Sequence, residues 1–530
     1  MSSTQLTVKQ RPKAVAKSHN NFTTLLLLIF FSLGLIGILK HAMWRDELNV
    51  WLIARDSTSI FDLFRNIKYE GHPGLWYLCL YLLNQFSHNP IIMQVFHLLL
   101  ATGAVYIFVR FSPFTQLQKV LFSFSYLPFY EYLLISRNYA IGILLVFVFC
   151  ALFQTRKKSY LLLSSILFLL ANTNAYCLFI SVALGLTLIV EYSLGQKLGR
   201  KRTQSLLANR KNLIASLIIF TLGIIISLVQ LIPPTDSTLQ GELSGWTLQF
   251  DIKHLANAIT RIWNSYILVV VPADSRPVEV GIFAIISLGL LVFASTLLIR
   301  KPVALFLYLF GTLEILLFTY VKFLGSARHY GHLYILLIVS LWIASYYPKS
   351  NLLIQPITRL GKSFQKTSTS WIKFVEKYKT VFIMVILYAQ LVAGLVAFSR
   401  DLLVPYSASR EAARFIQSQK LEQMLIVGSK DYAVSPLSGY LNKKIYYPER
   451  NEVGSFVLFN NKRKEVDSVA VLEQVSQLIK QNKQNILLVL NSELDTSRTG
   501  LKVSPLSKFT KSLISNEKYY LYLVSPAEKA

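Results

Sequence analysis

The 530-residue sequence predicts a mainly α fold, a polytopic transmembrane helical bundle of about 11 spans with juxtamembrane interfacial helices and a small C-terminal α/β extracytoplasmic domain. Three observations predict it. Hydrophobic residues make up 53% of the chain and charged residues only 15%, with a mean hydropathy of +0.46, a balance foreign to soluble domains. The surplus Leu, Ile, Val and Phe fall in runs close to the roughly 20 residues that cross a bilayer core. The basic residues gather in the short segments between those runs, a pattern that encodes orientation.

Taken in order, the runs are 22 to 40, 91 to 109, 119 to 135, 139 to 155, 160 to 172, 174 to 192, 212 to 232, 278 to 299, 302 to 321, 331 to 347 and 379 to 399. A further run, Pro73 to Leu83, reads PGLWYLCLYLL before Asn84 and Gln85. It is about half the length needed to cross and is predicted to lie at the interface. Leaving it out of the bilayer fixes the side of every later loop, and the charges support leaving it out. The segments then placed inside, from the N-terminus to Lys379, hold 24 Lys and Arg, whereas the outer segments before residue 400 hold 10. Those outer segments are 41 to 90, the turn around Arg137, 233 to 277 and the turn around Arg328, with Asn172, Thr173 and Asn174 forming a further short turn.

Residues 1 to 21, with Lys9, Arg11, Lys13 and Lys17, are predicted to be a basic cytoplasmic N-terminus. The apolar stretch after them is too long for a secretory signal and lacks a small-residue cleavage site, so it reads as an uncleaved first span. A net charge of +27 would suggest nucleic acid in a soluble domain. Here it is a topology signal, and no nucleic-acid partner is expected. Cys79, Cys150 and Cys177 all lie in apolar surroundings, which supports neither a disulfide framework nor a zinc site.

Residues 22 to 400 therefore read as one membrane module, and 401 to 530 as a domain of different character. In the latter, helix-like stretches (Ser409 to Lys420, Val466 to Lys480, Pro505 to Ile514) alternate with β-rich runs, LIVG, SFVLF, ILLVL and YYLYLV. That alternation predicts a small α/β domain.

The first outer loop, 41 to 90, carries the densest chemistry. It opens with His41-Ala-Met-Trp44-Arg45-Asp46-Glu47-Leu-Asn49, continues through Trp51 and Arg55-Asp56, and ends in Tyr69-Glu70-Gly71-His72-Pro73. Asp46, Glu47 and Glu70 thus lie close to the bilayer boundary. A lipid-linked phosphosugar has its tail in lipid and its sugar in water, so its reacting carbon sits at that height. A carboxylate there can take the proton from an attacking acceptor hydroxyl. One base suffices when the leaving group is already a phosphate, unlike in a glycosidase, where a second carboxyl usually protonates the leaving group. The plainer alternative is a solvated pair of juxtamembrane charges without a role.

A leaving phosphate calls for cations. Two outer turns supply them, Tyr130-Glu131-Tyr132-Leu-Leu-Ile-Ser136-Arg137-Asn138-Tyr139 and Lys322-Phe-Leu-Gly325-Ser326-Ala-Arg328-His329-Tyr330-Gly331-His332. The planar guanidinium of Arg suits phosphate, although arginines at span ends also snorkel to headgroups. His329 and His332 are a weak metal signal. No cofactor is required, but Asp46, Glu47 or Glu70 could hold a divalent cation. Glu191 reads as solvated near an inner end, and Glu314, inside the run 302 to 321, as a packing hydrogen-bond partner.

These motifs together resemble the GT-C superfamily of membrane glycosyltransferases. The closest likeness is to its glycosyltransferase family 39-like branch, with the protein O-mannosyltransferases and the aminoarabinose transferases that modify lipid A. The resemblance covers roughly residues 20 to 350 and is most specific over 44 to 76. It implies an inverting hexosyl or pentosyl transferase using a polyprenyl-phosphate-linked sugar and a lipid, glycan or protein acceptor, with membrane lipids as surroundings. It also implies a multi-pass cell (inner) membrane protein with the site on the periplasmic side. Asp46 matches the family's catalytic base, and Glu70 a second acid lining the site. Arg137 and Arg328 fall near the phosphate-contacting cations, and His72, Tyr139 and His329 are candidate substrate contacts beside them. His72 and residues 401 to 530 depart from the family pattern, which leaves the acceptor open. The chief rival, a transporter or flippase of lipid-linked saccharide, would place its polar residues near the midplane. Here they cluster at the outer ends of spans.

Overall fold

The structure, a computed structural model, describes residues 13–197, 210–238, 245–268, 277–355, 362–494 and 501–526. Residues 1–12 of the predicted N-terminal segment, and most of the basic loop from Lys197 to Lys211, lie outside the described residues. Among the described residues, eight helices are long and apolar enough to cross a membrane. They are Asn20–Lys40, Ile91–Phe111, Tyr139–Lys157, Ala175–Leu194, Arg210–Leu231, Val278–Leu298, Pro302–Val321 and Gln365–Leu403. Leu217, Ile218, Val229, Ile285 and Leu313 point outward from these helices, while Phe30, Leu133, Phe147, Tyr308 and Trp342 fill the interior. An apolar exterior of this kind belongs in lipid, and the chain is a multi-pass membrane protein.

The remaining predicted runs form shorter helices. The run 119 to 135 breaks into a helix Gln116–Ser123 and a π-helix Tyr126–Leu134, separated by the extended Ser125. Gly394 of the last span packs against that break, where a Cβ would lie 2.8 Å from the Tyr126 amide nitrogen. The runs 160 to 172 and 331 to 347 become Leu161–Ala171 and His332–Ala344, the second buried along nearly its whole length. Irregular or short segments are tolerated at membrane depth when protein surrounds them.

The first span belongs to helix α1 (Lys13–Lys40), followed by α2 (Arg45–Asp56), α3 (Ile60–Ile67), α4 (Leu75–Asn84) and α5 (Ile91–Phe111). Helix α4 has 10 residues, about 15 Å of rise, too little to cross. Its Trp76, Tyr77 and Leu80 instead pack on Leu48, Trp51 and Ile53 of α2. Asp46 and Glu47 occupy the first turn of α2, where the helix dipole favours acids, and the Trp44 amide donates to Glu47 Oε2 at 3.2 Å.

The C-terminal region builds a six-stranded sheet in the order β3-β2-β1-β4-β6-β5. Its strands are β1 (Leu425–Ser429), β2 (Ile445–Tyr447), β3 (Glu452–Gly454), β4 (Ile486–Leu490), β5 (Lys502–Phe509) and β6 (Tyr519–Ser525). β1 pairs in parallel with β2 and β4, and the other neighbours are antiparallel. Helices Ser409–Ser418 and Asp431–Leu441 cover one face and Ser468–Asn482 the other.

Two local expectations change. Pro505 to Ile514 is not helical: its first half lies in edge strand β5, with Pro505 beside a register shift where its missing N–H costs nothing. The SFVLF run is not a strand either. It is an irregular segment whose Val457 amide donates to Asn49 Oδ1 of α2 at 2.8 Å.

Candidate active site at the end of the first span

The sheet region and α2 are stitched together. Arg45 N donates to Glu517 Oε1 at 3.0 Å, Arg55 Nη1 to Asn442 Oδ1 at 3.0 Å, and Ser455 Oγ bonds Asp56. Leu48 packs against Gly439 of the helix Asp431–Leu441. This clamp holds α2 at both ends, and its first turn carries Asp46.

Asp46 is where three guanidiniums converge. Its Oδ2 lies 3.1 Å from Arg137 Nη1 and 3.3 Å from Arg328 Nη2, and its Oδ1 lies 3.7 Å from Arg45 Nε. Arg137 also donates to the Asp46 carbonyl at 2.8 Å, and its Nη2 lies 3.2 Å from His72 Nε2. Trp44 carries Arg328 and Arg45 over its ring, 5.1 and 5.5 Å from the centroid.

Each cation is placed by its own turn. Arg137 sits between the π-helix and the span that starts at Tyr139, and its carbonyl bonds His97 Nε2 of α5 at 2.9 Å. Arg328 lies in a short helix, Ala327–Tyr330, entered through Gly325, whose φ of +70° favours glycine. Tyr132 OH donates to the Arg328 carbonyl at 3.1 Å. His72 follows Gly71, with φ +65°, in the turn between α3 and α4.

Glu70 joins this group from the other side. Asn49 Nδ2 donates to its Oε1 at 3.1 Å, and Tyr77 OH to its Oε2 at 3.3 Å. Glu47, one residue beyond Asp46, has different partners: its oxygens accept from His41 Nε2 at 3.0 Å, the Trp44 amide and the Ser136 amide at 2.6 Å. It links α2 to the turn that carries Arg137. Tyr139 and His329 form an aromatic wall, with ring centroids 6.0 Å apart. His329 Nδ1 accepts from the Ser326 amide, and the buried hydroxyl of Tyr139 has no partner among the described residues. Among the described residues, no three His, Cys, Asp or Glu side chains come together as a metal-holding group.

Burial alone would raise the pKa of Asp46, but Arg137, Arg328 and Arg45 outweigh it and hold the carboxyl below its ordinary range. For Glu70 burial wins against Arg137 and pushes the carboxyl up to about 7. Burial and Arg137 depress His72 to about 3, and burial with Arg328 keeps His329 neutral as well. At neutral pH the pocket thus holds three guanidiniums around one firmly ionised carboxylate. It has positive charge to spare for an anion.

Sequence reasoning placed Asp46, Glu70, His72, Arg137 and Arg328 together. It assigned no role to Arg45, Asn49 or Tyr77, although the first two sit inside the quoted motif and Tyr77 lies in the interfacial helix. Asp401, 2.6 Å from His41 through Oδ2, and Glu517 left no local signal, because their partners are hundreds of residues away.

Fold and site define a multi-pass membrane protein with a cation-rich pocket at one end of its helical bundle. No family model matches the chain, and no curated protein matches it. Among solved structures it is similar to ArnT from Cupriavidus metallidurans bound to undecaprenyl phosphate, with a TM-score of 0.45 and 10% sequence identity over 95% of this chain and 98% of that one.

Proposed function

We propose that the protein is a membrane glycosyltransferase that moves a sugar from a polyprenyl-phosphate donor to an acceptor hydroxyl. The observation that carries this reading is Asp46 held between Arg137 and Arg328 at the end of the first span. A phosphate on a lipid tail would reach those guanidiniums from the boundary and compete with Asp46 for them. Releasing Asp46 from its cations raises its basicity where the acceptor must be deprotonated. The acceptor oxygen bonds to the anomeric carbon as the bond from that carbon to the phosphate oxygen breaks, with inversion. The electron pair leaves with the phosphate, whose charge Arg137 and Arg328 take up, and the acceptor proton goes to Asp46.

Glu70, with His72 and Tyr139, lines the sugar side of the pocket, whereas Glu47 serves the framework. Residues 401 to 530 form an extracytoplasmic domain that holds α2 over the site. The charge pattern of the loops supports a cell-membrane location with the site on the periplasmic face.

The test is transfer from radiolabelled polyprenyl-phosphate sugars to cell-envelope acceptors in membranes containing wild type or Asp46→Asn. A loss of about 100-fold or more in Asp46→Asn is expected for removal of the base. Unchanged transfer at normal expression sinks the role of Asp46.

A further inference from the structure

Beyond the pocket, one stretch of chain is exposed in a way that a water-facing loop would not tolerate. Residues 245 to 252 read GWTLQFDI, and Trp246, Leu248, Phe250 and Ile252 are 65%, 80%, 77% and 65% exposed. Among the described residues, none covers these four large apolar side chains. Their height is fixed, because the stretch is bonded to the end of the span Pro302–Val321. Thr247 N donates to the Val321 carbonyl at 2.7 Å, Tyr320 OH to the Gln249 carbonyl at 2.8 Å, and Asp251 N to Tyr320 OH at 2.9 Å. His254 Nε2 bonds the Tyr320 carbonyl at 2.7 Å. The end of a 20-residue span lies at the edge of the hydrocarbon. That is the depth at which Trp, with one polar atom on a large ring, is most favourable.

The charges fit the same depth. Lys322 caps the span, donates to the Gly245 carbonyl at 3.2 Å and sits 5.1 Å from the centre of the Trp246 ring, and Lys253 follows immediately. Both would meet anionic headgroups. The chain then runs from Lys322 directly to the turn that delivers Arg328 to Asp46.

We propose that residues 246 to 252 insert into the leaflet on the side of the pocket and form a lipid-embedded sill over which a lipid-linked substrate slides to Arg328. The insertion stands on its own observations, whereas the substrate route rests on the transferase reading.

The test uses the full-length protein in phosphatidylcholine and phosphatidylglycerol vesicles with brominated acyl chains. Comparing wild type with Trp246→Phe isolates the emission of that one ring. The proposal expects the lost component to be the one that brominated lipid quenches. If aqueous iodide quenches it instead, the stretch faces water and the insertion is overturned. For the route, Leu248→Asp with Phe250→Asp is expected to raise KM for a long-chain polyprenyl-phosphate sugar by about tenfold or more, leaving kcat and the KM of a short, water-soluble analogue unchanged. Equal KM values for the long-chain donor in wild type and variant overturn the sill as a route. Wild type that transfers sugar from neither donor refutes the transferase reading and the route with it, while the quenching result still decides insertion.

Discussion

His41 Nδ1 lies 2.6 Å from Asp401 Oδ2, so the first residue beyond the first span is bonded to the end of the last one. On its other side His41 Nε2 meets Glu47, which in turn accepts from the amide next to Arg137. A single buried imidazole therefore connects the two ends of the membrane module with both halves of the pocket.

Burial alone would lower the pKa of His41, but Asp401 and Glu47 outweigh it and raise it from 6.5 to about 10. A cation favoured by the fold stabilises it fully below the unfolded value of 6.5, and that contribution is lost as pH rises through about 10. The melting temperature of wild type in detergent is expected to fall between those limits. In His41→Gln it should start lower, by about 3 kcal/mol of stability, and be flatter over the same range. A parallel pH dependence in the two proteins contradicts a charged His41.

Glu70, raised to about 7, ionises within the physiological range, whereas Asp46 is ionised throughout it. If ionised Glu70 is needed, kcat/KM rises through about pH 7 and Glu70→Gln removes that limb. The same group favours the fold when protonated, so its contribution to stability is present below its ordinary value of 4.5 and lost as pH passes about 7. A pH-rate profile with the limb unmoved in Glu70→Gln assigns it to another group.

Arg137 makes three polar contacts through two nitrogens, with the Asp46 carboxylate, the Asp46 carbonyl and His72. A lysine keeps the charge but cannot hold all three. Arg137→Lys is expected to lower kcat/KM about 100-fold with an unchanged elution profile on gel filtration. A loss below about fivefold would reduce Arg137 to a point charge.

A chain ending at residue 400 loses Asp401 from His41 as well as Glu517 from Arg45, Ser455 from Asp56 and Asn442 from Arg55. It should insert in membranes yet show no transfer, with α2 open to limited proteolysis. Full activity of residues 1 to 400 would leave the sheet region without a part in holding the site.

The span Ile91–Phe111 separates residues 88 and 115, and a helix α4 that does not cross keeps residue 88 on the side where the first span ends. Reporter fusions should find position 88 outside and 115 inside. A reporter at position 115 found outside reverses the orientation of the molecule.

Several parts of the site were legible in the chain itself because they are local. The length of a hydrophobic run decides whether a segment crosses, and Asp46 and Glu47 follow the first span within seven residues. Arg137 and Arg328 were readable as candidates because each stands in a short polar turn between apolar runs, and charge balance put those turns on one face. The sequence by itself thus determined a membrane-spanning helical module and which polar residues share one end of it. Only the tertiary structure decided that Asp46 is clasped by arginines while Glu47, its neighbour, turns to His41. Adjacent residues on a helix point about 100° apart, and which direction meets cations depends on segments that pack there from far along the chain. Only the tertiary structure, too, made 119 to 135 a broken pair of helices and tied Asp401 and Glu517 to the first loop. Those outcomes come from packing and desolvation among residues up to 472 positions apart, and no local pattern carries that information.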